Sequence, residues 1–586
     1  MKQHMMLLQG LFFSILLTSC TSPGDSRVGE DQAERVDQMM MQAQQVAQLE
    51  GETGVSETVE AEQLEVEAND PLLQSVRLDG ETNELTLPLD ALWAAALQHS
   101  SQIRVFADLP LIRQTGIQEA EGQFDFRLFA EGSYADRDDP VGSTLTTEEA
   151  ERFLEKEHMY SAGVDKKMST GAELYLRQEF SRLEDNSEYT IPNPQWESRS
   201  VVGIVQPLLK GAGTRYNKGL MAVATLDSEI SKAEFGRQVQ QHLVEISRSY
   251  WSLYMARGIT ASKRRALADA ESILDELTAR EELDARQTEI QRARAYAADR
   301  RASLVRSETA VLNATERLRT LVNHPDMMGE IDFEFVPSTE PELSFMPFDK
   351  QAALQQALEN RSEIVQAYKQ LEASVIRREL SAHELKAGLN IFAEAYLAGL
   401  SDEDYNEAWD DQSDDGPGYL VGLRFELPLG NDRAQAVNKR RRLEQRQLEN
   451  QLRTTIETVM LDMRIAMREV SASFREMKAA YTSLQAARED LENIQSRKEA
   501  KLLGGEGDAV TELTLLLGAQ ERRLEAEQGF LFALSTYNVA LDSLQQAQGT
   551  LLEDSGIRMT QVDAEDDTSR LLFEENSLPD YILEMD

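Results

Sequence analysis

The sequence predicts a mainly α fold with a β-barrel part, in which long antiparallel helices are joined to strands and the whole pattern is written twice. Three observations predict it. A short strand-to-helix joint occurs twice, the helical text carries heptad seams, and the strand text alternates apolar with polar residues.

The first joint is Ser200-Val-Val-Gly-Ile-Val-Gln-Pro-Leu-Leu-Lys-Gly-Ala-Gly-Thr-Arg-Tyr216. It is β-branched and apolar up to Leu208 and takes helical spacing from Thr214. Pro207 has no N–H to give a ladder, so it is expected to stop the strand. Gly211 and Gly213 let the backbone turn into the helix. The joint returns as Tyr419-Leu-Val-Gly-Leu-Arg-Phe-Glu-Leu-Pro-Leu-Gly430, with Pro428 and Gly430 in the matching places. A second echo is independent of the joints: Ala96-Leu-Gln-His-Ser-Ser-Gln-Ile103 parallels Ala357-Leu-Glu-Asn-Arg-Ser-Glu-Ile364. Each lies in a stretch that reads as one helix, Leu87–Gly122 and Phe348–Leu389.

The seams are explicit. Met460, Met463, Met467, Val470, Phe474, Met477, Tyr481 and Leu484 step alternately by three and four, as do Val239, Leu243, Ile246, Tyr250 and Leu253. Such helices pack lengthwise against neighbours, so the methionines read as core and not as metal ligands. Thr214 to Leu283 is expected to form a helix of roughly 105 Å and Thr288–Asn323 a return of about half that. Asn431–Ser496 and Asp508–Thr550 repeat the arrangement.

In the strand text, Phe124, Phe126, Leu128, Ala130 and Tyr134 oppose Asp125, Arg127, Glu131 and Ser133. Tyr419, Val421, Leu423, Phe425 and Leu427 oppose Gly422, Arg424 and Glu426. A barrel with one face to lipid and one to water alternates so, and so does a half-buried soluble sheet. The first half carries an extra hairpin, Tyr160–Phe180, turning at Ser169–Gly171; whether it adds strands stays open. Tyr160, Tyr189, Trp196, Tyr405, Trp409 and Tyr419 fit either an interfacial girdle or a loop packed on itself.

Composition narrows function. Only 6% of the chain is aromatic and 28% is charged, which suits long, partly exposed helices. A net charge of −43 argues against nucleic acid as a partner. The six histidines are scattered, no metal site or cofactor is expected, and nothing reads as an enzyme. The acidic loop between Ser401 and Gly418 lacks the spacing of a calcium loop. Met1 to Leu17 reads as an export signal, too short to span a bilayer. It ends Leu17-Thr18-Ser19-Cys20, which resembles a bacterial lipoprotein box with lipid attached at Cys20.

The organisation expected is therefore a signal peptide at 1–19 and an acidic disordered tether at 20–84. The first repeat covers 85–330, with strands in 124–208 and a long helix pair in 214–323. A linker at 331–347 leads to the second repeat at 348–552, with strands in 389–427 and a helix pair in 431–550. An acidic tail at 553–586 closes the chain.

Over roughly Leu85 to Leu552 the chain resembles the TolC-like outer-membrane efflux family. The carriers are Gln206-Pro-Leu-Leu-Lys-Gly-Ala-Gly213, its echo Leu427-Pro-Leu-Gly430, and Leu517-Gly-Ala-Gln-Glu-Arg-Arg-Leu524 leading to Gly549-Thr-Leu551. The resemblance implies a homotrimer with a β-barrel in outer-membrane lipid and a periplasmic α-barrel. It also implies a periplasmic adaptor (membrane fusion) protein and an inner-membrane transporter as partners. The chain would be the passive exit duct. The family's four strands per chain would give about twelve in a trimer. Family members often narrow the tunnel with two aspartates three positions apart; the matching positions here are Leu515 and Gly518. Glu506 and Asp508 in the nearby turn are the acidic candidates for a constriction, against the alternative of a solvated turn. A second reading of the whole is a lipid-anchored periplasmic coiled-coil adaptor or scaffold, which would account for the heptads but not for the duplicated joints.

Overall fold

The computed structural model describes residues 70–77, 84–147, 149–281, 286–327, 334–413, 416–502, 509–562 and 570–575, with a few isolated positions before these. Two compact units are formed. One contains 114–227 and 370–450; the other contains 43–113, 228–369 and 451–586. Both units draw on both sequence repeats.

The first unit holds a six-stranded antiparallel sheet. Its strands are β2 (Phe126–Pro140), β3 (Arg152–Lys167), β4 (Glu173–Asp185), β5 (Gln195–Pro207), β7 (Gly388–Ser401) and β8 (Gly418–Glu426), in the order β2-β3-β4-β5-β7-β8. The hairpin at Tyr160–Phe180 therefore adds strands β3 and β4, and the first repeat contributes four strands to the second repeat's two. Its turn lies where the sequence places it, with Met168 N–H donating to Ala172 at 2.7 Å and Gly171 N–H to Met168 at 2.8 Å.

Register sorts the sheet into two faces. One carries Phe126, Leu128, Val164, Leu174, Leu176, Val202, Ile204, Ile391, Ala393, Val421 and Leu423, with Lys166 set between Phe126 and Leu174, its ammonium 4.0 Å from the Phe126 ring. Many of these are exposed. The other face carries charge: Arg127 meets Asp165 across β2–β3 at 2.9 Å, and Tyr175 donates to Glu394 at 2.9 Å. On that face aromatic rings lie over glycines. A Cβ on Gly163 would meet Phe129, one on Gly203 would meet Tyr175, and one on Gly422 would meet Phe392, all within 3 Å.

Towards the strand ends that carry the long loops, the first face turns polar and is covered by a short helix, α9 (Tyr405–Asp411). Tyr405 packs on Trp196, Phe180 and Tyr160 at ring distances of 4.4, 5.5 and 6.4 Å, and Trp409 on Phe180 at 6.1 Å. Four of the six aromatics thus form one cluster at the loop, while Tyr189 and Tyr419 stand outside it and are the most exposed of the six. Two of the loop's acids have structural roles: Asp404 caps α9 by accepting from Asn406 and Glu407, and Asp411 accepts from Leu400 N–H at 3.0 Å.

The second unit is helical. The long helices are α5 (Gly219–Ala279) and α10 (Asp432–Leu502), with returns α6 (Gln287–Val322) and α11 (Ala509–Gln548). At 71 residues, α10 is about 107 Å long. Every residue of both predicted seams is buried. Phe474 packs between Phe345 and Tyr537, and Tyr481 meets Phe530. Polar contacts tie the two repeats: Arg523 pairs with Asp269 at 2.9 Å, and Ser535 donates to the Trp251 carbonyl at 3.2 Å.

Five expectations are corrected. The helix expected at Leu87–Gly122 is two, α2 (Leu89–His99) and α3 (Ser101–Glu121). That expected at Phe348–Leu389 is α7 (Lys350–Asn360) and α8 (Ser362–His383). The breaks fall on Ser100 and Arg361, the same column of the aligned repeat, with ψ of 120° and 122°. Each break residue is held by its side chain. Ser100 Oγ meets His242 Nε2 at 3.1 Å, and the Arg361 guanidinium meets Glu363 at 2.9 Å and the Gln546 carbonyl at 3.3 Å.

The expected disordered tether contains α1 (Pro71–Arg77), with Leu72 and Val76 fully buried and Asp70 bound bidentately by Arg488 at 2.8 and 3.0 Å. The linker 331–347 contains β6 (Glu334–Pro337), paired in parallel with β1 (Glu84–Leu87). Such four-residue strands are too short to show a period, and their pairing spans about 250 residues of sequence. The acidic tail contains α12 (Leu551–Asp554) and a hairpin of β9 (Ile557–Val562) and β10 (Arg570–Glu575).

Candidate functional site

The strand-to-helix joint is the most closely built feature of the first unit. Pro207 is the last residue of β5, but it does not end both ladders. Pairing with β4 stops at Val205, whereas the β7 side continues through Pro207 to Leu208, whose N–H donates to Leu389 at 2.7 Å. Ladder groups alternate sides, so the N–H that proline lacks is one that would have faced β4. Lys210 N–H still reaches the Ala387 carbonyl at 3.3 Å.

Gly211 and Gly213 have φ of +85° and +97°, a region side chains rarely adopt. One turn of helix, α4 (Thr214–Asn217), then leads into α5. Buried Asn217 gathers the turn by donating to the Gly211 and Gly213 carbonyls, each at 2.9 Å. The β3–β4 turn docks here too. Gly213 N–H donates to Thr170 at 3.0 Å, and Gly171 approaches so closely that a Cβ would lie 2.3 Å from the Gly211 oxygen. A charged cluster finishes the joint. Tyr216 stacks on His383 at 4.5 Å and hydrogen-bonds Glu384, which Lys210 pairs at 2.8 Å. Burial and the adjoining Glu384 carboxylate push the Tyr216 hydroxyl well above its ordinary range. Burial works against Glu384's charge, but Lys210 and Tyr216 outweigh it and hold the carboxyl low.

The second joint is barer. Pro428 lies two residues beyond β8, Gly430 has φ +87°, and Asn431 has φ +46°. Gln435 Nε2 donates to the Gly430 carbonyl at 2.8 Å. Sequence reasoning found the prolines and glycines of both joints but missed Gly171, Asn217, His383 and Glu384. Only a polar residue at a helix start hinted at Asn217; the other three meet the joint through folding alone.

Of the constriction residues, Glu506 and Asp508 lie outside the described residues, as does Cys20. Leu515 sits on α11 and is 53% exposed, while Leu513 and Leu516 beside it are buried with Ile273, Ala293 and Leu491. Leu515 therefore points away from the seam. A cavity of about 820 Å³ opens where both helix breaks converge, lined by Gln102, Gln241, His242, Arg361, Asp462 and Glu469. Burial holds the His242 imidazole low, favouring its neutral form. Among the described residues, no group of three or more His, Cys, Asp or Glu could hold a metal. No described helix is long and apolar enough to cross a membrane.

No family model matches the chain, and no curated protein matches its sequence. Solved structures do match. The outer-membrane channel OprN aligns with TM-score 0.57 at 13% identity, over 82% of this chain and 90% of that one. The Campylobacter jejuni CmeC outer membrane channel aligns with TM-score 0.57 at 12% identity, over 84% and 94%. The outer membrane protein VceC of Vibrio cholerae aligns with TM-score 0.56 at 15% identity, over 79% and 96%. The chain has the fold of these outer-membrane channels. This is the TolC-like architecture implied by the resemblance: mainly α, with an antiparallel sheet and two internal repeats.

Proposed function

We propose that the chain is a TolC-like outer-membrane efflux protein, the passive exit duct of a tripartite efflux or secretion system. The observation that carries this reading is the six-stranded sheet with an exposed apolar face and a charged opposite face, on a chain whose long helices keep heptad seams. Strands β2 and β8 are the sheet edges among the described residues. An open edge in lipid leaves backbone groups unpaired, each at several kcal/mol, so the sheet must close on other copies. The strands at the two edges run in opposite directions, which lets one copy's β8 pair with the next copy's β2 in a cyclic homotrimer. Partners would be a periplasmic adaptor and an inner-membrane transporter that supplies the energy. Cys20 would carry lipid, and Met1–Ser19 would be removed.

Near the start of α11, Leu515 lies on an exposed face, and Glu506 and Asp508 just before it would supply acid rings that favour cations. The test is single-channel conductance of the protein purified from outer-membrane fractions, together with its oligomeric state and the mass of its N-terminal peptide. Heat-resistant, conducting trimers with a lipid-modified Cys20 are expected, and Asp508→Ala should lower cation selectivity. An extractable, non-conducting monomer would remove the duct in favour of the adaptor reading.

A further inference from the structure

We infer that the membrane barrel of this protein is eighteen-stranded, half again as many strands as four per chain would give, and that its membrane segment admits cargo too broad for a twelve-stranded pore. The inference rests on the trimeric duct proposed above and concerns what that duct can pass.

The observation is that β3 and β4 behave as full members of the sheet. Their apolar side is in phase with the others: Val164 sits between Leu128 and Leu176, and Leu176 between Val164 and Val202, so one apolar row runs unbroken across the added strands. Their opposite side is in phase too, with Asp165 paired to Arg127 and Glu179 beside Arg177. The ring-over-glycine device recurs on that same side, in Phe129 over Gly163, Tyr175 over Gly203 and Phe392 over Gly422. A hairpin laid outside a closed four-strand sheet would have no reason to keep this phase. Strands β4 and β5 are also paired over eleven residues, from Glu173–Val205 to Leu183–Gln195. The turn joining β3 and β4 is fixed to the strand-to-helix joint through Gly213 and Thr170. Both anchor the added strands inside the wall.

Geometry sets the width. Strands about 4.8 Å apart and tilted by about 40° each occupy roughly 6.3 Å of circumference. Eighteen give a backbone diameter of about 36 Å and twelve about 24 Å. After inward side chains, the clear widths are about 25 Å and about 14 Å, so the wider ring admits polymer chains as well as small amphiphiles.

Two measurements test this. Electron-microscopic averages of purified full-length trimers viewed down the axis should show a strand ring of about 36 Å. Neutral polyethylene glycols of about 20 Å diameter, added on the strand-loop side of a planar bilayer, should enter and lower the conductance. A variant lacking Arg152–Asp185 leaves β2 and β5 antiparallel and should narrow the ring and exclude those polymers. If that variant fails to assemble, the wild-type ring and cutoff still decide. A conducting wild-type trimer with a ring near 24 Å, or one excluding polymers above about 14 Å, would overturn the eighteen-strand barrel while leaving the duct intact. A protein that neither trimerises nor conducts would instead overturn the duct.

Discussion

At the scale of single residues, the groups that stand out are polar ones placed in helical packing. Asp542 on α11 has a carboxyl oxygen that is buried without a partner. Burial pushes its pKa up to about 6, and a hydrogen bond with Ser247 opposes this only in part. A carboxyl whose folded value is raised stabilises fully below its unfolded value, near 3.8, and that contribution is lost as pH rises through about 6. Asp542→Asn should therefore raise the thermal midpoint at pH 7.5 and leave it almost unchanged at pH 4. An equal gain at both pH values would show that the effect is packing and not charge. Asn217 differs from Asp542 in being fully used, since its amide donates to two joint carbonyls. Asn217→Ala should cost about 1–3 kcal/mol by leaving those acceptors short in a buried turn, read as a lowered denaturation midpoint.

Elements show what was legible in the sequence and what was not. The long helices are repetitive enough that their period overrides local noise, and each buried seam residue from Met460 to Leu484 is where the three-four stepping puts it. The joints are legible because proline and glycine restrict or free the backbone by their covalent structure. The breaks at Ser100 and Arg361 are not, because the helical period Leu92, Ala96, His99, Ile103 runs on across the first and the deciding contacts come from His242 and Gln546, far along the chain. The segment 70–77 is the sharpest case. It lies in the acidic stretch read as a tether, yet Leu72 and Val76 are buried, Arg257 donates to the Val76 carbonyl at 3.1 Å, and Arg488 clamps Asp70. Burial raises the Asp70 pKa, but Arg488 outweighs it and holds the carboxyl below the usual range. Its stabilisation is thus present above the unfolded value of 3.8 and is lost as pH falls through the lower folded value. Asp70→Ala should release α1 at neutral pH, with protease cleavage near residues 70–77 rising several-fold while the long helices stay protected. Unchanged cleavage would mean that Leu72 and Val76 alone hold the segment.

For the whole molecule, the question is which medium meets the apolar face of the sheet. Leu423 lies on that face in the edge strand β8, opposite Ile391, and is 68% exposed in the single chain. Arg424, the next residue, belongs to the charged face, with its guanidinium 5.6 Å from the Phe392 ring. Water and lipid predict opposite signs for one substitution. If the face met water, Leu423→Arg would replace an exposed apolar group with a solvated one and would be neutral or favourable. If the face meets hydrocarbon, the same change is unfavourable, by up to about 2–4 kcal/mol at the bilayer midplane and less towards the interfaces. We expect Leu423→Arg to reduce the heat-resistant oligomer recovered from outer-membrane fractions, and Arg424→Gln to leave that yield intact while shifting the ion selectivity of the channel. The pair is decisive because adjacent strand residues face opposite ways, so a general folding defect would strike both variants. Normal assembly of Leu423→Arg would mean that the apolar rows are covered by protein or water, and a lipid-facing barrel would then be untenable.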